Sequence, residues 1–302
     1  SSDAASGSGN ASGKYNVGYV NLANTDVFCM SRINALREVT EGTDFNVSFV
    51  DGNNDNQKQI DYAKSFISRD VDALILVPAD SEAITPAVEE ANANEIPVIC
   101  FGIKSNGGDY IYVGSNDYEA GYLQGEFMAD ELPENAKILY CAGSEGYQQT
   151  TDRRTGFKEA LTDKGRDDIE ILSEQDGEYA KEKAMEVCDA WIQAYSTGNG
   201  EVEFDAIVAA NDQMALGCIE SLKNANVLTT EGEILISGVD GTDDAIQAVS
   251  DGYMAQTVLQ DAQGQAEAAY DVLQKLVAGE EVESEVIVPF QSITQSNVAE
   301  FQ

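Results

Sequence analysis

Two stretches of the chain share one plan of buried strand, polar end and helix, and this repeat constrains the fold more than any other feature. DALILVPADSEAITPAVEEAN covers residues 72–92, and DAIVAANDQMALGCIESLKNAN covers residues 205–226. Each is followed by a second apolar run, IPVICFG or ILISGVDG. The openings of two larger segments, YNVGYVNLANTDVF and AKILYCAGSEGYQQTTDRRTGF, also match. We therefore predict an α/β protein built from two similar βαβ halves in tandem, each with a parallel sheet.

Two polar residues, Asn211 and Asp212, interrupt the second repeat between its strand and its helix. Asn211 is predicted at the carboxyl end of the strand, and Asp212 is a candidate cap for the helix that follows. Ligands bind at that edge of open α/β sheets, so a binding role is one interpretation. The other is that both residues only cap the helix, and this stretch alone favours neither.

Length and charge narrow the class of protein. A chain of 302 residues with 43% hydrophobic residues is long and apolar enough for two domains with their own cores. Its 54 acidic and 17 basic residues give a formal charge of −37. Phosphate backbones and anionic lipids repel such a chain, which argues against nucleic acid as a partner. We interpret the acidic excess as a solvated surface.

The first residues, SSDAASGSGNASGK, contain no side chain that forms a core. We expect residues 1–13 to be a flexible tether, and a leader introduced for expression is the alternative. The chain has no hydrophobic signal segment and no apolar run of the roughly 18 residues that span a bilayer. A tether suits an extracytoplasmic protein, in the periplasm or on the cell surface, that is anchored by a lipidated residue preceding it.

The residue types argue against metal chemistry and catalysis. The chain has no histidine, and its five cysteines form no C-x-x-C pair, so no zinc site, no other metal site and no cofactor are expected. Ser-His and Cys-His nucleophile pairs require histidine, so an enzyme is the less favoured class. DGNNDNQKQIDY, from Asp51, resembles a calcium loop, but Asn56 replaces the turn glycine and Tyr62 the final glutamate. A strand end and a helix cap explain that segment better.

Carboxylates, amides, one arginine and aromatics collect at the predicted strand ends. Polyhydroxylated ligands need this mixture, because carboxylates and amides bond to hydroxyls, arginine donates through a planar fork, and aromatic faces cover the C–H side of a sugar ring. The candidate ligand residues are Asn21, Asp26, Phe28, Tyr147, Gln149, Arg153, Tyr179, Asn211, Asp240 and Gln260. The alternatives are that Phe28 and Tyr179 belong to the core and that Arg153 pairs with a surface carboxylate. Trp191, on a helix, we assign to packing.

Several segments in order resemble the bacterial periplasmic sugar-binding proteins of ABC transporters, which are type I periplasmic binding proteins, and within them the glucose/galactose branch. The segments are YVGSNDYEAGYLQGEFMA, AIVAANDQMALGCIESLK, SGVDGTDDAIQAV, QTVLQDAQGQAEAAYDV and VPFQSITQSNVAEF. The resemblance runs from about residue 15 to the C-terminus. It implies two Rossmann-like lobes joined by a three-segment hinge, with the sugar between them. One lobe would comprise 14–115 plus 261–291, and the other 116–260 plus 292–302.

The resemblance also implies roles for individual residues. The first-lobe carboxylate and stacking aromatic of the family fall on Asp26 and Phe28, and the opposite aromatic falls on Tyr179. The remaining family positions, an arginine, an amide, a carboxylate and a hinge-side amide, fall on Arg153, Asn211, Asp240 and Gln260.

This chain departs from the glucose/galactose branch on one side of the ring. Tyr147 and Gln149 stand where that branch has a histidine and an aspartate, and Gly102 stands where it has a polar residue. The charged Asp-Arg pair of ribose binders is absent there, and DELPENAK replaces the calcium loop. Contacts from that side are lost or come from elsewhere, with Asn21 and Lys104 as candidates.

We therefore predict a monomeric, non-catalytic receptor that closes around a monosaccharide by a hinge motion and delivers it to an ABC transporter permease. An aldohexose such as glucose or galactose is the expected ligand. The main alternative is the ligand-sensing domain of a LacI-type transcription regulator, which has the same fold but needs a basic DNA-binding headpiece. A sugar-processing enzyme ranks third.

Overall fold

The structure is a computed structural model that describes residues 14–227 and 233–302. The predicted tether, residues 1–13, lies outside the described residues. The chain divides into two compact units, the first ending at Ser115 and resuming over Asp261–Val288, and the second comprising Asn116–Gln260 and Pro289–Gln302. No helix within the described ranges is both long and apolar enough to span a membrane.

The first unit alternates strands and helices along the chain. Its elements are β1 (Tyr15–Asn21), α1 (Val27–Thr40), β2 (Phe45–Asp51), α2 (Asn56–Ser68), β3 (Ala73–Leu76), α3 (Thr85–Ala93), β4 (Val98–Phe101) and β5 (Ile111–Gly114), and later α9 (Ala262–Val277) and β13 (Glu285–Ile287). All pairings between these strands are parallel, in the order β13-β5-β4-β3-β1-β2.

The second unit repeats the arrangement. Its elements are α4 (Asp117–Glu131), β6 (Lys137–Ala142), α5 (Gln148–Asp163), β7 (Glu170–Asp176), α6 (Lys181–Ala194), β8 (Ser196–Gly198), β9 (Glu201–Val202), β10 (Ala206–Ala209), α7 (Asp212–Asn224), β11 (Leu235–Asp240), α8 (Asp243–Asp251), β12 (Gln256–Leu259), β14 (Gln291–Thr294) and a final 3₁₀ turn (Val298–Phe301). The sheet order is β14-β12-β11-β10-β6-β7, and only β14 pairs antiparallel within it. A separate β8-β9 ribbon lies outside it.

Each sheet is covered on both faces, as the near-continuous apolar strands predict. In β3, Ile75 faces one apolar cluster, and Leu74 and Leu76 face another. In β10, Ile207 and Val208 likewise face different clusters. The prediction of an α/β protein with two doubly wound, parallel-stranded halves is confirmed.

The strand orders place a topological switch point in each unit. Strand β1 lies between β2 and β3 in the first sheet, and β6 lies between β7 and β10 in the second. The chain therefore runs from β1 to β2 towards one edge of the first sheet and from β3 to β4 towards the other edge. In the second sheet it likewise runs from β6 to β7 towards one edge and from β10 to β11 towards the other. A crevice opens at the carboxyl ends of such strands, where open α/β sheets bind ligands.

The division between the units differs from the expected one at a single boundary. The first unit was expected to extend to residue 291, but it ends at Val288. Gln291 already belongs to the sheet of the second unit, because it pairs with Leu259 in the antiparallel ladder.

Several local interpretations are confirmed. Asp51 ends β2, and Asp55 caps α2 by accepting a hydrogen bond from the Lys58 amide at 2.9 Å. Trp191 packs in the core and donates its indole N–H to the Ser173 hydroxyl at 3.0 Å. The structure also shows that all five cysteines are buried free thiols, a state consistent with the absence of a C-x-x-C pair.

Candidate functional site

Asn211, at the carboxyl end of β10, caps α7. Its Oδ1 accepts a hydrogen bond from the Met214 amide at 3.0 Å, and its Nδ2 donates to the Tyr179 carbonyl at 3.3 Å. Of the two candidate caps, Asn211 is therefore confirmed and Asp212 is wrong. Asp212 begins the helix and is fully buried, with its carboxylate turned towards the next strand end.

The Asp212 carboxylate holds the turn between β11 and α8. It accepts the amides of Gly241 and Thr242 at 2.8 and 2.9 Å and the Thr257 hydroxyl at 2.7 Å. That turn carries Asp240, whose φ of 134° lies in a region that side chains rarely adopt. Asp212 therefore keeps Asp240 in a strained conformation at the end of its strand, a form of strain that concentrates at functional sites.

Arg153, on α5, is only 4% exposed and is held on two sides. Its Nε and Nη2 lie 3.0 and 2.9 Å from Oδ1 of Asp117, and its Nη1 donates to the Ala210 carbonyl at 2.5 Å. Burial lowers the pKa of Arg153, but the charges of Asp117 and Asp240 more than offset this and leave it above its usual value. A guanidinium has five N–H donors, so this fixed group keeps donors for a ligand.

Asp117 reaches Arg153 because α4 and α5 pack unusually closely. A Cβ on Gly121 would lie 1.8 Å from the Arg153 carbonyl oxygen, and one on Gly156 would lie 2.0 Å from the Tyr118 carbonyl oxygen. Only glycine fits at such approaches. Asp117 was not among the predicted site residues, although it lies in the quoted segment YVGSNDYEAGY.

Tyr179 follows β7 with a φ of 56° and is half-buried. Its ring lies over Gly143, where an added Cβ would be 1.8 Å from Cζ. Its hydroxyl lies 2.7 Å from the Thr150 hydroxyl, and Gln149 also interacts with it. Burial raises the pKa of Tyr179 while Arg153 lowers it, with a net increase. The ring therefore packs on the second unit's core without being enclosed by it.

The second unit thus brings together five of the predicted residues, Gln149, Arg153, Tyr179, Asn211 and Asp240, through the contacts described. Gln260 adjoins them, because its backbone N–H donates to the backbone carbonyl of Asp240 at 3.0 Å. Tyr147 precedes α5 and is 57% exposed, and its side chain makes no capping bond to the helix. It lies next to the group in sequence but is not held by it.

In the first unit, Asn21 ends β1 and is completely buried. Its Nδ2 donates to Oδ1 of Asn24 at 2.8 Å, and its Oδ1 has no hydrogen-bond partner among the described residues. Gln59, which sequence reasoning missed, donates to the carbonyls of Asn21 and Val77 at 3.0 and 2.8 Å. This buried amide ties the ends of β1 and β3 together at the switch point.

Asp26 and Phe28 begin α1 beside that strand end. Asp26 is exposed and caps the helix, accepting the Cys29 amide at 2.7 Å. Phe28 is half-buried, with the Arg32 guanidinium 4.6 Å from its ring centre. Lys104, considered as a substitute contact, is instead paired with Glu285 at 2.5 Å. Within residues 14–227 and 233–302 we find no cluster of three potential metal ligands.

Each unit therefore presents at least one acid, amides and an aromatic at the carboxyl ends of its strands, and Arg153 contributes a fixed guanidinium in the second. Such a set donates to and accepts from hydroxyl groups and covers an apolar ring face. It contains no nucleophile paired with a base.

Comparison with known proteins agrees with this geometry. The family model described as periplasmic binding protein domain matches residues 17–281. A putative rhizopine-binding protein of Rhizobium meliloti is 32% identical over 87% of this chain and 83% of its own length. A ribose import binding protein of Bacillus subtilis is 29% identical over 82% of this chain and 77% of its own length.

Solved structures give the same result. An ABC transporter solute-binding protein from Bacillus halodurans, with bound myo-inositol, superposes with a TM-score of 0.82 at 29% identity. The match covers 96% of this chain and 98% of that one.

The chain belongs to the periplasmic binding protein family. Its relatives are substrate-binding proteins of ABC transporters and not enzymes, so the non-enzymatic class is confirmed. Membership places it with extracytoplasmic proteins. These relatives do not single out the glucose/galactose branch, which remains a prediction.

Proposed function

We propose that this protein is an extracytoplasmic receptor that captures a monosaccharide and delivers it to an ABC transporter permease. The observation that carries the proposal is the fixed guanidinium of Arg153, held by Asp117 and the Ala210 carbonyl within the electrostatic reach of Asp240. A ligand hydroxyl between them accepts a hydrogen bond from the arginine and donates one to the carboxylate. Charge-assisted bonds of this kind are worth about 1.5–3 kcal/mol each.

The polar ends of both units contribute to the proposed ligand set. Asp26 and Phe28 serve in the first unit, and Arg153, Tyr179 and Asp240 in the second. Phe28 and Tyr179 keep part of their rings accessible, which suits stacking on the C–H face of a sugar ring. Relatives named for ribose import support a transport receptor over the sensing domain of a LacI-type regulator.

The identity of the sugar is a finer proposal. Stacking aromatics favour a pyranose, and we retain an aldohexose, including glucose and galactose, as the starting ligand. The relatives extend the candidates, since they include proteins named for ribose, for xylitol and for galactofuranose. The bound myo-inositol of the Bacillus halodurans protein adds cyclitols.

A thermal-shift screen tests this proposal. The panel comprises glucose, galactose, allose, ribose, xylitol and myo-inositol, with amino acids and nucleosides as controls. A ligand at a hundredfold excess over its Kd stabilises the folded protein by about 2.7 kcal/mol, which raises the melting temperature by several degrees. A shift from a sugar or polyol supports the receptor. A shift from an amino acid alone, with all sugars silent, would overturn it.

A further inference from the structure

Besides Arg153 of the second unit, the protein has a buried arginine in the first unit, Arg32, at the carboxyl edge of the sheet. Arg32 lies on α1 and is 5% exposed. Its Nε donates to Oε1 of Gln265 on α9 at 2.9 Å, and Gln265 donates in turn to the Ser115 hydroxyl at 2.8 Å. Ser115 directly follows β5, so this chain of hydrogen bonds fixes the guanidinium beside the strand ends.

Aromatic rings and one glycine shape the space around the Arg32 guanidinium. The rings of Phe28 and Phe101 have their centres 4.6 and 5.5 Å from Cζ. A Cβ on Gly102 would lie 2.4 Å from Nη2. Gly102 is the residue that replaces a polar side chain of the glucose/galactose branch, and its lack of a side chain leaves room for Arg32. The Arg32 guanidinium therefore lies beside the position at which the glucose/galactose branch has a polar side chain and this chain has Gly102.

The two buried arginines differ in charge compensation. Arg153 is paired with Asp117, whereas no carboxylate in the described part of the chain lies within ion-pair distance of Arg32. A buried charge without a partner costs several kcal/mol, so proteins rarely retain one for packing alone. Cation–π contacts with Phe28 and Phe101 offset only part of this cost.

The donors of Arg32 are also incompletely used. Only Nε has a protein acceptor among residues 14–227 and 233–302. Neither terminal nitrogen belongs to the buried atoms that lack a partner, which indicates that both keep some contact with solvent. Two parallel N–H groups of a guanidinium match a pair of neighbouring oxygen atoms.

We propose that Arg32 is a ligand-contacting, specificity-determining residue whose terminal nitrogens bind two neighbouring oxygens of the ligand. This rests on the proposed receptor function. The oxygens are those of a vicinal diol in a neutral sugar or of the carboxylate of a sugar acid. Both supply the acceptors that Arg32 lacks, and a carboxylate supplies the counter-charge as well.

Calorimetric titration of three proteins tests the proposal: wild type, Arg32→Gln and Arg37→Gln. Arg37 is the matched control, because it lies on the same helix, stacks on Phe49 at 4.8 Å and is exposed. The ligands are glucose, galactose, ribose, glucuronate and galacturonate. Arg32→Gln should weaken the preferred ligand about tenfold to a hundredfold, and Arg37→Gln should not change its affinity.

The ligand preference of the wild type and of Arg32→Gln shows whether the two oxygens belong to a carboxylate or to a vicinal diol. If they belong to a carboxylate, the wild type prefers a uronate over its hexose, and Arg32→Gln abolishes the preference. If they belong to a diol, a neutral sugar is preferred, and its monodeoxy derivatives are titrated. At a hydroxyl bound by Arg32, the losses from deoxygenation and from Arg32→Gln should not add.

Two results would overturn the role of Arg32. One is unchanged affinity of Arg32→Gln for the preferred ligand. The other is an equal loss for every sugar and every deoxy derivative, which would indicate a structural effect. Arg32→Lys provides a further check, since it keeps the charge without the fork and should recover binding of a uronate better than that of a diol. If the wild type binds none of these compounds or their relatives, the receptor function itself fails.

Discussion

Asp117 and Arg153 form an ion pair in which one carboxylate oxygen is 3.0 Å from Nε and 2.9 Å from Nη2. The pair joins the start of α4 to α5 across a glycine-lined contact. Because it fixes the guanidinium before any ligand is present, the entropy of ordering that long side chain is not lost on binding.

The first prediction concerns this pair. Asp117→Asn should lower the free energy of unfolding by about 1–3 kcal/mol, because it removes the directly paired carboxylate from a buried guanidinium and leaves only the charge of Asp240 to compensate it. The loss should stay below that of a fully buried pair, since Asp117 is 25% exposed. Urea unfolding measures it. Glu186→Ala is the control: it breaks an exposed pair with Lys183 and should change stability by less than about 0.5 kcal/mol. Equal effects of the two substitutions would contradict the structural role of Asp117.

The second prediction separates binding from stability at Asp240. Asp240→Ala and Asp240→Gly should each weaken sugar binding at least tenfold, because a charge-assisted bond is lost. Asp240→Gly should be the more stable of the two by about 1 kcal/mol, since glycine adopts a φ of 134° without strain. Calorimetric titration and thermal unfolding of both variants measure the two quantities. Unchanged affinity in both would show that Asp240 does not contact the ligand.

The third prediction concerns Tyr19, whose hydroxyl is buried without a hydrogen-bond partner in the described residues. Tyr19→Phe removes an unsatisfied polar group and should leave the free energy of unfolding unchanged or raise it by up to about 1 kcal/mol. Tyr112→Phe is the matched control, because its hydroxyl donates to the Ser115 carbonyl at 2.8 Å. That variant should lose about 1 kcal/mol in chemical denaturation. An equal loss in both would mean that the Tyr19 hydroxyl has a partner after all.

The fourth prediction concerns pH. Burial raises the pKa of the Cys29 and Cys100 thiols to about 12 from the ordinary 9.0. Between these values the folded protein binds more protons than the unfolded chain, so the stabilisation present below pH 9 is lost as the pH rises towards 12. Urea unfolding at pH 8 and pH 10 should show this decrease, and Cys100→Ala should reduce it. If Cys100→Ala left the decrease in stability between pH 8 and pH 10 unaltered, the raised pKa of Cys100 would be contradicted.

The same burial should protect the thiols from alkylation. Iodoacetamide reacts with thiolates, which are rare at pH 8 when the pKa is about 12. Mass spectrometry should therefore find Cys29 and Cys100 unlabelled in the native protein and labelled in denaturant, and burial alone should protect the other three cysteines from the reagent. Rapid labelling of Cys29 or Cys100 in the native protein would contradict their burial.

Much of the fold was predictable because strands buried on both faces and amphipathic helices leave distinct patterns. The polar residues at the strand ends could also be predicted, and five of those predicted in the second unit lie together in the structure. At the β10–α7 junction both Asn211 and Asp212 were candidate caps, and Asn211 forms the cap. The sequence pattern alone did not distinguish the residue that faces the helix amides from the one that faces the next strand.

The residues that were missed act through long-range contacts. Asp117 and Arg153 are 36 positions apart, and Arg32 and Gln265 are 233 apart. Both Asp117 and Arg32 lie on helices, where a charged residue usually marks the solvated face. The contact of Asp117 depends on how α4 and α5 approach, at which the glycines at 121 and 156 hint. The position of Arg32 depends on the space left by Gly102, which follows β4. The strained φ of Asp240 likewise depends on the turn held by Asp212.

The measurement that tests the central claim most directly is calorimetric titration of protein that has been unfolded, stripped of ligand and refolded. Wild type should bind one monosaccharide or cyclitol of the panel with 1:1 stoichiometry. Asp240→Ala should bind it at least tenfold more weakly while remaining folded. A wild type that binds an amino acid or a nucleoside, and none of the sugars and polyols, would contradict the account.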